Sequence, residues 1–450
     1  MCKMHLLLSL LLLLTLPTAA FNTFRSFSQQ SGRAAFQGKQ LMGWKQDESG
    51  SYAWVDNDDD DESFPSSIST TTAPSGKPNP LPPGRLRPKQ SLGQNYLQDG
   101  NTIDKIVEAF DKDLRWGFSG WVDDNDKSVS QKKHLIELGP GLGSLTTPLV
   151  RKYGTSRFSC IEIDSRAVEL LREKHPVEEG LRIIENDVLK VDYAKYLEEN
   201  DDVECLSIVG NLPYYITSQI LFAICDANHV DASGGDGDGD VDAPATIDTS
   251  TVTMQYEVAL RLVAPVGSGK DRGILSVVFE LYADSSGGQQ SPRIHFKIPP
   301  TVFYPVPKVT SALVGIKFCN QRELLGRLAG VKASNFRTVV TTAFGQRRKT
   351  VRNSLKELIR SLCDGDEEKM KNILDCTSAS EDVEIVANRK IEGNEFALGQ
   401  ALPADWAKRR PEEFTAAEFV ELTRLIFGGL STDTSDTLAK KVWRKKKHGD

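Results

Sequence analysis

Four consecutive residues, Asn211-Leu212-Pro213-Tyr214, combine an amide acceptor, a stiff turn and an aromatic ring. An amine conjugated to a purine ring is a poor nucleophile, because its lone pair is delocalised into the ring. Two acceptors hydrogen-bonded to its protons favour a more tetrahedral, more reactive nitrogen. An Asn side-chain oxygen and a neighbouring backbone carbonyl can supply them. Pro213 stiffens the turn that aims these groups, and Tyr214 offers a ring on which an extruded base can stack. Phe303, within Phe303-Tyr304-Pro305-Val306-Pro307-Lys308-Val309, is the candidate for the opposite stacking wall. The blander reading of the two segments is an ordinary turn with a core tyrosine and a Pro-rich loop.

A second group reads as a nucleoside site. Glycines at 139, 141 and 143 follow Glu137, and acids stand at Glu162 and Asp187. Glycines let the backbone approach a ligand closely. Glu162 is suited to accept from ribose hydroxyls, and Asp187 from an adenine amine. A dinucleotide oxidoreductase, the competing reading, has G-x-G-x-x-G; here the spacing is G-x-G-x-G, and no phosphate-cradling lysine follows. A ligand without a pyrophosphate fits better, and S-adenosylmethionine is one. Its sulfonium is already an excellent leaving group, so transfer needs positioning more than a strong base. No cysteine or histidine stands among these residues. The expectation is direct in-line transfer, with no covalent intermediate and no protein-bound metal.

These residues need a scaffold that brings them to one edge. His134–Glu137, Phe158–Ile163, Leu181–Glu185 and Leu206–Val209 read as short apolar strands, and Leu145–Tyr153 and Ser165–His175 as intervening helices. Strands alternating with helices imply a parallel sheet covered on both faces, with ligands bound where strands end. The expected fold class is α/β: a Rossmann-like S-adenosylmethionine-dependent methyltransferase domain over residues 88–318, with a small helical domain over 319–428. A Gly/Asp-rich insert at 228–251 is expected to be a solvated loop.

The net charge of −7 conceals a division. Six acids lie in Asp56–Glu62 and six more in Asp231–Asp248; without these twelve the charge is +5. Residues 321–360 hold ten Lys/Arg against two Glu, and the 429–450 tail is basic again. Clustered cations are the footprint of a nucleic-acid partner, and Arg347, Arg348, Lys349 and Arg352 lead the cluster at helical spacing. Seven cysteines include no C-x-x-C pair; Cys160, Cys205 and Cys225 lie in apolar stretches and read as buried thiols.

Residues 1–20 have the form of a signal sequence: Lys3, the apolar run Leu6–Leu16, then small residues. The run is too short to span a bilayer as an ordinary helix, so no stable membrane association is expected once it is removed. Phe21–Gln46 is basic and acid-free, as transit peptides are. Together they resemble the bipartite presequence of algae with secondary plastids, with the mitochondrion as the alternative destination. Residues 21–87 are read as a transit-like segment and disordered linker.

Asn211–Tyr214 resembles the signature of adenine amino-methyltransferases. Ser91–Leu97, Glu137–Gly143, Glu162–Asp164, Asn186-Asp187, Asn211–Thr217, Gln255–Leu262, Phe303–Ala312, Ala343–Thr350 and Arg410–Leu425 follow in the order of the bacterial-type ribosomal RNA adenine dimethylases, and the resemblance spans roughly residues 88–428. Tyr96 stands where that family usually has Phe. The resemblance implies that Asn95, Leu97, Gly139, Glu162, Asp187 and Asn211 contact S-adenosylmethionine. It implies an adenine pocket of Asn211, Tyr214 and Phe303, and a helical domain that helps hold ribosomal RNA. The expected partner is small-subunit ribosomal RNA or the assembling small subunit, and the expected state a monomer. Two other functions fit the same fold: a non-catalytic organellar assembly or transcription factor, and a methylase of large-subunit RNA.

Overall fold

The computed structural model describes residues 43–46, 52–55, 86–116, 133–176, 180–198, 203–228, 245–284, 290–375 and 403–427. Strands β1 (Gly43–Gln46) and β2 (Tyr52–Val55) form an antiparallel pair, so part of the segment expected to be structureless is ordered locally. Its Trp, Tyr and Val content suits strands. Residues 1–42, most of the linker and the basic tail lie outside the described residues.

Next come β3 (Tyr96–Leu97), α1 (Gly100–Trp116), β4 (Lys133–Leu138), α2 (Thr146–Tyr153), β5 (Phe158–Glu162), α3 (Ser165–Lys174), β6 (Arg182–Glu185), α4 (Tyr193–Glu198), β7 (Cys205–Asn211), α5 (Thr217–Ala227), β8 (Ile247–Gln255), α6 (Tyr256–Leu262), α7 (Ile274–Tyr282), β9 (Arg293–Ile298), β10 (Phe303–Tyr304) and β11 (Ser311–Lys317). The main sheet has the order β6-β5-β4-β7-β8-β11-β9. Neighbours from β6 to β8 are parallel, and β11 runs antiparallel to β8 and β9. The chain enters at β4, winds out to β6 and returns to β7. The switch in strand order, where such sheets bind ligands, therefore falls between β4 and β7. The central strands are buried almost throughout because helices cover both faces.

Four expected strands and two expected helices are present, with ends shifted by a residue or two. The insert is not as expected. Ile247–Thr251 belongs to β8, which sits between β7 and β11 in the middle of the sheet. Asn228 fastens its start: its side chain accepts from Ile247 N at 2.6 Å and donates to Ile247 O at 2.9 Å. Asp248, counted above with the low-complexity acids, is buried and ion-paired with Lys133 of β4. Three Thr hydroxyls on β8 are compatible with burial because neighbours satisfy them, whereas the buried Ser250 hydroxyl has no hydrogen-bond partner among the described residues. Thr249 donates to Ser207, and Thr251 to Asp113 of α1. Asp113 also accepts from Arg293 and His295, tying α1 to the far edge of the sheet.

Helices α8 (Gln321–Leu328), α9 (Ala333–Phe344), α10 (Val351–Leu362), α11 (Glu367–Asp375) and α12 (Ala416–Phe427) follow. They share one hydrophobic cluster with α7 and the sheet. The buried Arg272 joins the parts, donating to the carbonyls of Phe414 and Ala264 and pairing with Glu280. No helix among the described residues is long and apolar enough to cross a membrane.

Removing one member of a buried ion pair leaves the other charge stranded, at about 3–5 kcal/mol. Asp248→Ala should therefore lower unfolding free energy by about that much, while Lys133→Met combined with Asp248→Leu should lose far less. Urea denaturation of the three proteins checks this; equal losses would mean the pair is not what the position requires.

Candidate active site

The principal cleft opens at the carboxyl ends of β4, β5, β6 and β7. It is lined by Leu92–Leu97, Gly139–Leu142, Glu162-Ile163, Asp187–Leu189 and Asn211–Ile216. The fold thus gathers Asn95, Leu97, Gly139, Glu162, Asp187, Asn211 and Tyr214, which are spread over 120 positions of sequence.

One side of the cleft is organised by acids at the end of β5. Glu162 is 4% exposed, and its carboxylate accepts from the backbone N–H groups of Gly141, Ile163 and Asp164, each at 2.9 Å. Burial raises its pKa against these three donors. Gly139 has φ +64°, and a Cβ there would meet nothing, so the bare backbone faces open cleft. At Gly141 a Cβ would lie 2.9 Å from the Tyr96 ring, so only glycine lets Tyr96 close over the turn. Asp187 receives Leu189 N on one oxygen at 3.0 Å. Ile163, 50% exposed, supplies an apolar wall beside it.

Asp164 anchors the segment before β3. It accepts from Lys89 and Gln94 at 3.1 Å and from Arg166 at 2.6 Å. Its bonds to Arg166, then those to Gln94 and Lys89, hold its carboxyl well below the usual range. Tyr96 donates its hydroxyl to Gln94 at 2.8 Å. The segment is thereby strapped along the cleft. Glu137, 1% exposed, accepts from Thr146 Oγ1 at 2.7 Å. Burial, with the nearby Glu162 charge, pushes its pKa up to about 8.

On the other side Asn211 is clamped twice. Its Nδ2 donates to Asn95 O at 2.8 Å, and Thr253 Oγ1 donates to its Oδ1 at 2.5 Å. The carboxamide cannot flip without breaking both, and Oδ1 keeps a second lone pair. The Tyr214 and Ser311 hydroxyls are 2.5 Å apart. Phe303 does not take the expected place. It is 2% exposed, pairs with Leu97 across β10 and β3, and joins the cluster of Ile106 and Phe110; it is absent from the cleft lining. Sequence reasoning passed over Thr253, Ser311, Ile163, Tyr215 and the Lys89–Gln94–Asp164 strap. Of these, Gln94, Ile163, Asp164, Tyr215 and Ser311 lie within the motif segments quoted above, which was their signal; Thr253 and Lys89 carried none.

The basic cluster also differs from expectation. Arg347, Arg348 and Lys349 lie in the turn between α9 and α10, not on a helix. Arg347 is bound to the carbonyls of Lys270 and Arg272 at 2.6 and 2.9 Å, and Arg352 pairs with Asp375 at 3.0 Å. Arg348 and Lys349 are exposed.

Seven strands with one reversed, a Gly-rich turn tied to an acid on the next strand, and a cleft at the switch point define a Rossmann-like, S-adenosylmethionine-dependent methyltransferase. The sequence model of ribosomal RNA adenine dimethylases matches residues 85–380. The ribosomal RNA small subunit methyltransferase A of Chlorobium phaeobacteroides is 37% identical over 271 residues, covering 60% of this chain and 81% of that protein. Its counterpart in Salinibacter ruber is 33% identical over 339 residues, covering 75% and 85%. Among solved structures, a dimethyladenosine transferase from Plasmodium falciparum is 18% identical, with a TM-score of 0.45 over 72% of this chain and 95% of that one. The chain belongs to the ribosomal RNA adenine dimethylase family.

Glu137 generates a pH prediction. Its folded pKa of about 8 lies above the ordinary 4.5, so the unfolded chain gives up this proton first as pH rises. Its stabilising contribution is complete below about pH 4.5 and is lost as pH climbs toward about 8. Glu137→Gln should flatten that slope in ligand-free protein, read as melting temperature against pH; an unchanged slope would assign it elsewhere.

Proposed function

We propose that the chain dimethylates the exocyclic amine of adenines in small-subunit ribosomal RNA, using S-adenosylmethionine, within ribosome biogenesis. The observation that carries this is the clamped Asn211 carboxamide at the end of β7, opening into the same cleft as Glu162. The curated relatives named above support the small-subunit assignment.

The residues fit the cofactor. Glu162 and Asp187 offer acceptors for ribose hydroxyls and an adenine amine, Gly139 offers bare backbone, and Ile163, Leu97 and Asn95 complete the walls. S-adenosylmethionine supplies an electrophilic methyl group on a sulfonium. The remaining work falls to the chain. Asn211 Oδ1, through its second lone pair, and the Leu212 carbonyl accept hydrogen bonds from the two amine N–H groups and draw the nitrogen lone pair out of the ring. Tyr214 presents its ring to the extruded base, held by the bond to Ser311. A dry, preorganised cleft makes such dipoles effective. Arg348 and Lys349 face RNA, where phosphate contacts dominate affinity. The protein acts as a monomer, and residues 1–46 direct it to the plastid.

Asn211→Ala should lower methyl transfer about 100-fold, the scale of losing one preorganised polar group. Tyr214→Ala should loosen the base and leave cofactor affinity nearly intact, whereas Glu162→Ala should weaken cofactor binding first. Calorimetry with the cofactor and transfer from labelled donor to unmethylated small-subunit RNA read these out. Near-normal transfer by both Asn211→Ala and Tyr214→Ala would favour a non-catalytic factor. For targeting, Met1–Gln46 fused to a fluorescent protein should reach the plastid; secretion or purely mitochondrial signal overturns that assignment.

A further inference from the structure

Among the described residues five large apolar side chains are exposed. Ile163 belongs to the nucleoside wall. The other four, Leu260, Val266, Val306 and Val309, occur on two segments that the topology brings to one edge. Strand β8 runs parallel to β7, so its end, and α6 that follows at once, lie at the carboxyl edge where the cleft opens. Strand β11 is reversed, so its start lies at the same edge, with Ser311 opposite Gln255. The Pro-rich loop enters there, and Tyr256 N donates to Thr310 O at 2.9 Å. Val309 is thus two residues from Ser311, which holds Tyr214. Leu260 follows Tyr256 by one helical turn and shares its face.

The band continues beyond the cleft. After α6 the chain passes Val266 to Lys270, whose carbonyl is bound by Arg347. Arg347 therefore joins this segment to the turn that exposes Arg348 and Lys349. Residues 256–271, 305–310 and 346–350 carry six Lys/Arg against two acids. One acid, Glu257, is paired with Arg261 at 2.6 Å. Lys297 of β9 sits 4.2 Å from the centre of the Tyr256 ring. A buried protein interface would gather its apolar groups and exclude charge. Here single apolar groups alternate with cations along a path that begins beside the base pocket. Unpaired RNA matches that pattern, offering base faces to the apolar groups and phosphates to the cations. A duplex, by contrast, presents mainly backbone.

We propose that α6, the Pro305–Thr310 loop and the Gln346–Thr350 turn form one band that holds the unpaired nucleotides flanking the target adenine. The proposal rests on the function above, so RNA binding is measured apart from methyl transfer. The probes are an unmethylated small-subunit RNA transcript, a fully paired RNA duplex of unrelated sequence and the cofactor alone, each with the full chain. Val306→Ser combined with Val309→Ser, both on exposed positions, should raise Kd for the transcript about fivefold, the scale of losing two partial apolar contacts with base faces. Affinities for the duplex and for the cofactor should not change. Lys308→Gln should reduce the slope of log Kd against log salt by about one. Unchanged transcript affinity in the valine double variant overturns the proposal. So does an equal loss on the duplex, which assigns the patch to backbone contacts. If transcript affinity falls as expected but the unaltered chain transfers no methyl group, the band stands and the enzymatic reading falls.

Discussion

Glu162 is the constraint on which the rest of the cleft depends. A carboxylate at 4% exposure is costly unless hydrogen bonds replace its water. Here three backbone N–H groups do so, one from the Gly-rich turn and two from the residues following β5. The same bonds fix the relative position of two strand ends. The turn keeps positive φ at Gly139 and Gly141, and the close approach it permits lets Tyr96 settle on Gly141. Asp164, placed by the backbone that Glu162 holds, then gathers Lys89, Gln94 and Arg166 and fastens the strap. Loss of the first carboxylate would therefore disturb three chain segments, not one hydrogen bond.

The parallel half of the sheet was legible in the sequence because burial on both faces leaves uninterrupted apolar runs. Leu135-Ile136, Cys160-Ile161 and Ile208-Val209 could be read without tertiary information. The groups at their ends followed from the rule that ligands bind there. Strand β8 was illegible for the opposite reason. Its Thr249, Ser250, Thr251 and Thr253 are fully buried, and a Gly/Asp run precedes it. Its composition resembles a loop until Ser207, Asp113 and Asn211 are seen to receive its hydroxyls. Asp248 shows the same limit, since an acid beside other acids gives no sign that Lys133 lies across the sheet.

Arg347 marks a comparable limit in the C-terminal helices. Charge counting treats adjacent cations alike, but a guanidinium can bind two carbonyls at once. Arg347 is used in that way, while Arg348 and Lys349 are left to solvent. Arg272 works similarly at greater depth, joining Phe414 O and Ala264 O. Two arginines thus fasten the helical layer to the segment between α6 and α7, and the neighbouring Arg348 and Lys349 are left exposed.

The two halves of the cleft differ in how they are built, and Asn211 is where they meet. One half uses backbone groups and carboxylates at parallel strand ends, hydrogen-bonded to one another. The other half uses Asn211 at the end of β7, held by the Thr253 hydroxyl of β8, and Tyr214 just beyond β7, held by the Ser311 hydroxyl of β11. Asn211 ends β7 and is bonded to Asn95 of the strap on one side and Thr253 of β8 on the other. A shift of the strap is transmitted through Asn95 O to the carboxamide to which the proposed mechanism assigns the target amine. Since misplacement of about 1 Å can lower a rate about 100-fold, the polarising group has little tolerance for a loose strap. The strap on one side of the cleft and β8 on the other are thus linked through a single side chain.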